Sequence, residues 1–475
     1  MDFRNALPRI VVAGLSGGVG KTTLSVGLIR ALRSRGIAVQ AFKKGPDYID
    51  PAWLSIASGR KARNLDVRLF GDDNVVSTFR NHAISDGISI IEGNRGIFDG
   101  GDSRGTHSTA SLARLLNSPI LLVVDASKAT RTVAALVLGC MHFEPSTAIA
   151  AVVLNKVVGE RHCRVVTQAI EESTGIRVLG ALPKAVGPAI LSDSPEIRIP
   201  KDSEIEQALR NVEQLINNSV DVNSVLSLAR SAGHFDPVFC NIARSKRDTS
   251  VIRPNGKQIA IGVLMDESFS FYYPENLEAL ERLGARIVAI SPLRDKRIPP
   301  IDLLYAGGGF FADYVEELES NHDMLREVRA VVARGVAVYS EGSGVTYLAN
   351  RVHIGDRVHR MAGVLPIDVS VDQELAGHGY VQGSVIAESP FFCVGDAVVG
   401  HQHNYCRVIA GLERVRMVVR IDRGVGVNGG GVDGIVRGDV FGMFVHVHAL
   451  SPCRWAEAVV RAAVKTRVGS CGKVL

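Results

Sequence analysis

The sequence is poor in the features that mark secreted, membrane and nucleic-acid-binding proteins. It has 7 cysteines, an odd number without a CxxC pair, which favours free thiols over a disulfide framework or a structural zinc site. Apolar runs such as Ile120–Val124 and Val133–Met141 are far shorter than the roughly 20 residues that cross a bilayer. The net charge of +5 is small for 475 residues, whereas a dedicated nucleic-acid binder carries a concentrated basic patch. We therefore expect no membrane or nucleic-acid partner.

The composition is that of a globular protein. The N-terminal residues Met1–Asn5 do not open an extended apolar segment, so we expect no signal peptide and a cytoplasmic location. Apolar residues make up 46% of the chain, which also contains 48 glycines. At about 100–200 residues per domain, this length predicts two or three domains, each able to bury its own core.

Short strands that are apolar on both faces alternate with helices through the first half of the chain. The predicted strands are Arg9–Ala13, Ile37–Phe42, Ile88–Glu92, Ile120–Asp125 and Ile149–Leu154, and the predicted helices include Thr22–Arg35, Ser108–Leu116 and Asp202–Asn217. Such an alternation predicts a parallel sheet in a doubly wound α/β domain.

A polar stretch, Ser245–Lys257, separates this pattern from a second one. It predicts a domain boundary near residue 245, with a first domain at 1–244 and a second at 257–475. In the second domain the predicted strands are Gln258–Met265, Arg286–Ile290, Leu303–Tyr305 and Val336–Ser340, and the predicted helices are Asn276–Leu283, 321–334 and Arg454–Thr466. This is a second α/β domain.

The strongest chemical signal is the sequence GLSGGVGKTT at 14–23, between a predicted strand and a predicted helix. Glycines let a backbone wrap around phosphates, and a helix N-terminus turns free N–H groups towards an anion. The lysine reaches the β- and γ-phosphates and the first threonine ligates Mg²⁺. The first glycine of the usual GxxxxGK[ST] pattern falls on Leu15, a departure that the strand–turn–helix context outweighs. The expected nucleotide-binding residues are Gly17, Gly18, Gly20, Lys21, Thr22 and Thr23.

Acidic residues follow other strands of the same predicted sheet. Glu92 closes its strand where a second metal-binding acid sits in phosphate-loop proteins, and Asp125 closes another. Both also have an ordinary interpretation, as a strand-end carboxylate or a turn. The loop 43–51 (KKGPDYIDP) and Asp99 add lysines and carboxylates that suit a site for phosphate, metal and an anionic substrate.

Several longer motifs resemble the cobyrinic acid a,c-diamide synthase family. They are GPDYIDP at 45–51, NLD at 64–66, EG at 92–93 with FDG at 98–100, STA at 108–110, FSFYYPEN at 269–276, SPL at 291–293 and GGG at 307–309. They occur in the family's order and span almost the whole chain. The resemblance identifies a phosphate-loop ATP-binding domain followed by a class I glutamine amidotransferase-like domain.

The resemblance implies an amide ligase. In this family ATP phosphorylates the a and c carboxylates of a corrin-type tetrapyrrole, and ammonia displaces the phosphate. The implied cofactors are ATP and Mg²⁺, and the implied partners are the tetrapyrrole and ammonia or glutamine. The roles fall on the following residues: ATP and Mg²⁺ on Lys21 and Thr22, metal on Asp47 and Glu92, and substrate or metal on Asp50 and Asp99.

The second domain departs from the family at its catalytic turn. The family places its nucleophilic cysteine in a Glu-Cys-Gly-Gly pattern, where this chain has EGSG at 341–344, so Gly342 stands at the cysteine position. Glycine has no side chain with which to attack glutamine. His446 aligns with the family's general base, either as a catalytic residue or as a retained structural histidine. The segment GHQHNYC at 400–406 resembles an altered form of the family's GHEFHYS.

Three functions remain open from the sequence. The first is amidation of cobyrinate or of a related tetrapyrrole such as sirohaem. The second is a switch ATPase of the chromosome-partitioning type, which would carry lysine where this chain has Ser16. The third is a non-catalytic relative. The sequence also leaves open the number of carboxylates amidated and a homodimeric assembly.

Overall fold

A computed structural model describes residues 7–184, 202–233, 235 and 258–471. The chain divides into two compact units, Met1–Ser245 and Lys246–Leu475. The predicted boundary stretch, Ser245–Lys257, lies outside the described residues, so its exact limits stay a prediction.

The first unit is built on a sheet of seven strands that pair in parallel, in the order β3-β2-β4-β1-β5-β6-β7. The strands are β1 (Arg9–Gly14), β2 (Val39–Lys44), β3 (Arg63–Leu65), β4 (Ile88–Glu92), β5 (Ile120–Asp125), β6 (Ile149–Val157) and β7 (Val178–Pro183). The helices are α1 (Lys21–Arg33), α2 (Ile49–Ser58), α3 (Val67–His82), α4 (Thr109–Leu115), α5 (Arg131–Phe143), α6 (Gly159–Thr174), α7 (Asp202–Ser219) and α8 (Val222–Arg230).

The central strands of this sheet are completely buried, which explains their uninterrupted apolar sequences. Every residue of β1 and of β4 is buried, as expected for strands covered by helices on both faces. Strands β4 and β5 have the bounds that the sequence predicts, whereas β2 starts and ends two residues later than the predicted Ile37–Phe42. Parallel strands bring their carboxyl ends to one edge of the sheet, and the loops at that edge hold the candidate site.

A buried arginine on the central strand β1 is hydrogen-bonded to the segment that follows α8. The Arg9 side chain is inaccessible to solvent. Its Nε donates to the carbonyl of Leu116 at 2.6 Å, and its Nη2 donates to the carbonyls of Asn117 at 2.8 Å and Gly233 at 2.7 Å. Burial lowers the pKa of Arg9 to about 10, which leaves the guanidinium charged at neutral pH. These bonds join three segments that are far apart in sequence.

The second unit contains a mixed sheet of ten strands in the order β21-β16-β15-β18-β19-β20-β11-β10-β8-β9 and a smaller sheet in the order β13-β12-β14-β17. The strands are β8 (Ala260–Leu264), β9 (Arg286–Ile290), β10 (Leu303–Ala306), β11 (Ala337–Glu341), β12 (Arg351–Ile354), β13 (Arg357–Arg360), β14 (Asp368–Val371), β15 (Gly377–Val385), β16 (Ala397–Asn404), β17 (Cys406–Ala410), β18 (Arg416–Arg423), β19 (Val432–Arg437), β20 (Val440–Met443) and β21 (His446–Val447). The helices are α9 (Pro274–Arg282), α10 (Val315–Ser320), α11 (His322–Ala333), α12 (Ser343–Leu348) and α13 (Trp455–Cys471).

The last helix, α13, packs on the core of this unit. Its residues Trp455, Val459 and Val460 are buried and belong to the same apolar cluster as Tyr305 and Tyr339 of the sheet. In the part of the chain that the structure describes, no helix combines the length and the hydropathy needed to cross a membrane.

Candidate active site

The phosphate loop joins β1 to α1. Gly20 precedes the first helical residue with φ 96°, and a Cβ there would lie 2.3 Å from Asn155 Nδ2, so this position requires glycine. Asn155 donates to the carbonyl of Val19 at 2.8 Å, which ties the loop to the end of β6. The ammonium group of Lys21 donates to the carbonyl of Ser16 at 2.9 Å and thus spans the loop.

The threonine that follows this lysine contacts the acid at the end of β4. Thr22 donates its hydroxyl to Glu92 Oε1 at 2.7 Å. Glu92 is completely buried, and its second oxygen, Oε2, accepts no hydrogen bond from the described residues. The structure thus brings together a hydroxyl and a carboxylate that the sequence predicted as metal ligands.

Lys43 lies at the centre of the site, and the sequence analysis gave it no individual role. Its Nζ donates to Glu92 Oε1 at 2.8 Å, to Asp50 Oδ2 at 2.5 Å and to the carbonyl of Gly93 at 3.2 Å. The predicted strand Ile37–Phe42 ended two residues too early. In the structure β2 continues, and Lys43 stands in register with Glu92 on the neighbouring strand.

The three charges of this cluster control one another. Burial opposes the charge of Lys43, but the carboxylates of Asp50 and Glu92 raise its pKa well above the usual range. Burial likewise opposes ionisation of Asp50, and the Lys43 ammonium overcomes it and lowers the pKa of that carboxyl. For Glu92 burial prevails over the lysine, so its pKa is raised. Lys43 is therefore a fixed positive charge beside two acids of unequal strength.

Asp47 lies beside this cluster in the loop before α2. Its Oδ1 accepts a hydrogen bond from the backbone of Ile49 at 2.8 Å. Desolvation and the neighbouring Asp50 carboxylate raise the pKa of Asp47 to about 7. The buried Asn64 fixes the loop, since its amide donates to the carbonyls of Gly45 at 2.7 Å and Asp47 at 2.6 Å. Asn64 was noted in the sequence only as part of a family motif.

The two remaining acids are more exposed. Asp99 is exposed, and its Oδ2 accepts a hydrogen bond from the backbone of Gly96 at 2.8 Å, so it shapes the turn that follows β4. Asp125 pairs with Lys156 at 2.7 Å, at the same edge of the sheet as the phosphate loop.

The residues around the phosphate loop fit a magnesium ion. A hydroxyl and a carboxylate are oxygen ligands of the kind that Mg²⁺ prefers, with water completing its shell. The buried Oε2 of Glu92 has no other partner among the described residues. In the described ranges no group of three or more His, Cys, Asp and Glu side chains is placed to hold a metal ion. Metal binding by Thr22, Asp47 and Glu92 together therefore stays a prediction.

The second unit contains a sharp turn between β11 and α12, and Gly342 occupies it. Its φ of 52° and ψ of −121° are strained for any residue with a side chain. Ser343 follows as the first residue of α12, and its hydroxyl donates to the carbonyl of Gly309 at 3.0 Å. The turn thus keeps an unusual backbone without a nucleophilic side chain at its apex.

A buried histidine adjoins this turn. A Cβ built on Gly342 would lie 2.6 Å from His446 Nε2. The other ring nitrogen, Nδ1, lies 3.3 Å from Glu341 Oε2. Two tyrosines hold the Glu341 carboxylate, since Tyr339 donates to Oε1 at 2.8 Å and Tyr305 donates to Oε2 at 3.2 Å. The arrangement orients an imidazole towards a residue that cannot react.

The cysteines with described side chains provide no replacement nucleophile in this turn; they are Cys140, Cys163, Cys393, Cys406 and Cys453, all free thiols. Thr346 of α12 donates its hydroxyl to Cys406 Sγ at 3.4 Å. Burial raises the pKa of Cys406 to about 11 and that of Cys453 to about 12. Both are therefore protonated thiols at neutral pH, and the thiolate is the nucleophilic form.

Two family profiles match the two halves of the chain. Residues 10–195 match a family described as the CobQ/CobB/MinD/ParA nucleotide binding domain. Residues 260–453 match the CobB/CobQ-like glutamine amidotransferase domain. These matches confirm the predicted order of a phosphate-loop domain and an amidotransferase-like domain.

Curated relatives match over nearly the full length. A cobyrinate a,c-diamide synthase of Magnetococcus marinus is 35% identical, over 97% of this chain and 98% of its own. A protein of the same name from Archaeoglobus fulgidus is 33% identical, again over 97% of this chain and 98% of its own. The similarity therefore includes both domains, and the chain belongs to the cobyrinate a,c-diamide synthase family, whose members are amide-forming ligases.

Proposed function

We propose that this protein amidates the a and c carboxylates of cobyrinate with ATP and Mg²⁺, through an acyl-phosphate, and takes its nitrogen from ammonia that it does not itself produce. The cluster of Thr22, Glu92, Lys43 and Asp50 beside the phosphate loop is the observation that carries the ligase part. The glycine at position 342 is the observation that supports an external source of ammonia.

The first step is transfer of a phosphoryl group. A substrate carboxylate oxygen attacks the γ-phosphorus of ATP, the bond to the bridging oxygen breaks, and ADP leaves. Lys21 and the backbone N–H groups of the loop bind the phosphates. A bound Mg²⁺ would supply positive charge that offsets the negative charge on the transferring phosphate. Thr22 and Glu92 are the residues that would hold it, and Lys43 keeps Glu92 in place.

The second step forms the amide. Ammonia attacks the acyl carbon, the carbon–oxygen bond to phosphate breaks, and inorganic phosphate leaves with the electron pair. The ammonia nitrogen then loses a proton to a base. We assign this task to Asp47, because the loop before α2 holds its carboxylate beside the buried cluster, where burial and the Asp50 carboxylate raise its pKa towards neutrality.

The proposed nitrogen source rests on the turn between β11 and α12. Class I amidotransferases release ammonia by thiolate attack on the glutamine carboxamide. Gly342 has no thiol, and Ser343 points its hydroxyl at a backbone carbonyl. In this proposal Glu341 and His446 are what remains of a glutaminase site, and free ammonia or ammonia from another protein supplies the ligase.

The test is a comparison of nitrogen donors with the purified full chain. Cobyrinate and ATP-Mg²⁺ are incubated with ammonium chloride at alkaline pH or with glutamine, and amide products are followed by mass spectrometry together with glutamate release. We expect diamide with ammonium and no glutamate with glutamine. Equally fast amidation from glutamine, blocked by a glutamine-analogue alkylator, would contradict the ammonia part. Absence of amidation with either donor would contradict the ligase part.

Related tetrapyrroles belong in the same assay. Sirohaem amidated faster than cobyrinate would change the substrate and leave the reaction class intact. A switch ATPase offers no explanation for residues 260–453, which match an amidotransferase family.

A further inference from the structure

Helix α5 of the first unit is apolar on both of its faces. Between Arg131 and His142 it has no charged side chain. Val133, Ala134 and Val137 are buried and form the face that packs into the unit. A helix on the surface of a globular protein normally carries polar residues on its opposite face. The outer face of α5 departs from this pattern, so we looked for what it could bind.

The outer face of α5 carries large apolar side chains that are exposed. Leu136 is 50% exposed and Phe143 is 72% exposed, and no large apolar side chain in the described part of the chain is more exposed than Phe143. Ala135 and Gly139 are exposed on the same side of the helix. The ring centroid of Phe98, in the loop after β4, lies 5.0 Å from that of Phe143 and extends the surface. We call these five residues the α5 patch; a contiguous apolar patch of this kind marks an interaction site.

The charged residues around the α5 patch are separated along the helices. Helix α6 packs beside α5, and both run in the same direction because each connects adjacent parallel strands of one sheet. His162 Nε2 lies 2.7 Å from the carbonyl oxygen of Ala129, which brings the two helix starts together. The charged residues near the two starts are Lys128, Arg131, Glu160, Arg161 and Arg164, and those near the two ends are Glu144, Glu171, Glu172 and Arg177. The face is therefore net basic at one end and net acidic at the other.

We propose that the α5 patch is the interface of a homodimer in which α5 of one copy packs antiparallel on α5 of a second copy, about a twofold axis near Gly139. A twofold interface uses the same surface on both copies. In the antiparallel arrangement the basic end of each copy meets the acidic end of the other, whereas a parallel arrangement would set like charges against each other. The face is therefore complementary to itself in one orientation.

The sizes of the side chains along α5 fit this arrangement. A Cβ at Gly139 would meet no atom within 4 Å, so this position leaves room for a second helix to approach closely. Ala135 and Phe143 each lie about one turn from Gly139, on opposite sides of it. Antiparallel packing centred on Gly139 thus sets Phe143 of each copy over Ala135 of the other. A large side chain then faces a small one twice, which is how well-packed surfaces interdigitate.

The test measures association of the full-length protein by analytical ultracentrifugation over a wide range of concentration. We expect a reversible equilibrium between monomer and dimer. Leu136→Gln and Phe143→Ser are each expected to raise the dissociation constant of the dimer by about tenfold or more, because each removes an apolar contact from the centre of the interface. Ile409→Gln is the matched control: it replaces a side chain of the second unit that is 51% exposed and should dimerise like the wild type.

Charge reversal tests the antiparallel orientation. Arg161→Glu combined with Arg164→Glu makes both ends of the face net acidic. Glu171→Lys combined with Glu172→Lys makes both ends net basic. Each double variant alone is expected to dimerise more weakly than the wild type. A mixture of the two should form heterodimers, because every end then meets one of opposite charge.

Three results would overturn the proposal. The first is a wild-type protein that sediments as a monomer at every concentration. The second is a dimer whose dissociation constant is unchanged in both Leu136→Gln and Phe143→Ser, which would place the interface elsewhere. The third is a mixture of the charge variants that forms no heterodimer, which would exclude the antiparallel arrangement. Circular dichroism and melting temperature establish that each variant is folded. Amidation is not part of the readout, so this result is independent of the proposed ligase activity.

Discussion

The imidazole of His446 stands against the position where a side chain at residue 342 would begin. A Cβ on Gly342 would come within 2.6 Å of His446 Nε2 and 2.9 Å of Cε1. Real Cβ atoms do not approach other atoms so closely, so the ring has to move before residue 342 can carry a side chain. The turn therefore combines a backbone suited to glycine with an imidazole that must shift before a larger residue fits.

The first prediction tests this contact. Gly342→Ala should lower the melting temperature more than Gly335→Ala, because Gly335 also has a positive φ, 81°, but nothing within 4 Å of its Cβ position. Removing the ring should relieve the extra cost, so Gly342→Ala is expected to destabilise a His446→Ala protein less, by roughly 0.5–3 kcal/mol of coupling. Equal effects in both backgrounds would show that backbone strain alone governs the turn.

The second prediction concerns the phosphate loop. Lys21→Ala should reduce tetrapyrrole-dependent ATP turnover on the order of 10²-fold or more, because it removes a charge that acts on the transferring phosphoryl group. Lys61→Ala, at an exposed position of the same domain, is the control and should keep wild-type turnover. Unchanged ligase activity in Lys21→Ala would place the nucleotide site elsewhere.

The third prediction concerns the buried lysine. Lys43→Met leaves Glu92 and Asp50 without their shared cation, and breaking a buried ion pair costs about 3–5 kcal/mol. Lys156→Met breaks the partly exposed pair with Asp125 and should cost about 0–1 kcal/mol. Chemical unfolding of the two variants gives the comparison. Equal losses would mean that Lys43 does not hold the acids together.

The fourth prediction concerns two loop acids, Asp47 and Asp99. Asp47→Asn should impair amidation more than ATP binding, since Asp47 lies beside the buried cluster with a pKa of about 7. Asp99→Asn should also impair amidation, through the turn that its carboxylate supports at Gly96, whereas the exposed Asp86→Asn should have no effect. Nucleotide affinity and amidation rate are measured for each. Wild-type amidation by both Asp47→Asn and Asp99→Asn would show that these two acids have only a structural role in their loops.

The fifth prediction is a pH dependence in the second unit. Asp433 is buried, its Oδ2 accepts no hydrogen bond from the described residues, and burial raises its pKa to about 7. The folded pKa exceeds the unfolded value of about 3.9, so the folded state holds the proton more tightly. Stability should therefore fall between about pH 4 and pH 7, by at most about 1.4 kcal/mol per pH unit from this group.

Asp433→Asn removes this titration. The melting temperature of the variant should decline less than that of the wild type between pH 5 and pH 8. Parallel declines would show that other groups cause the loss.

The sequence predicted the parts of the site that depend on local pattern. The phosphate loop and Glu92 follow from glycine spacing and from the end of an apolar strand. The sequence analysis did not identify the role of Lys43, because that role depends on the register between two strands that are distant in sequence. In addition, β2 extends beyond its predicted end. The contact between His378 and His403 was also not predicted, because the pairing of residues across strands is decided by tertiary packing.

Gly342 illustrates the opposite case. A family motif located the position in the sequence, and the structure added the physical content, a φ of 52° and a histidine within reach. Sequence comparison shows that position 342 lacks the cysteine side chain, whereas only the structure shows which residues surround this position.

The guanidinium of Arg9 has a practical consequence for anyone who wishes to study the nucleotide-binding half alone. One of its carbonyl partners is Gly233, and its Cζ lies 5.3 Å from the ring centroid of Phe235. A gene fragment cut after α8 would lose both and leave a charged group under-solvated in the protein interior. Expression boundaries should therefore lie beyond residue 235, and a shorter fragment is expected to accumulate as insoluble material.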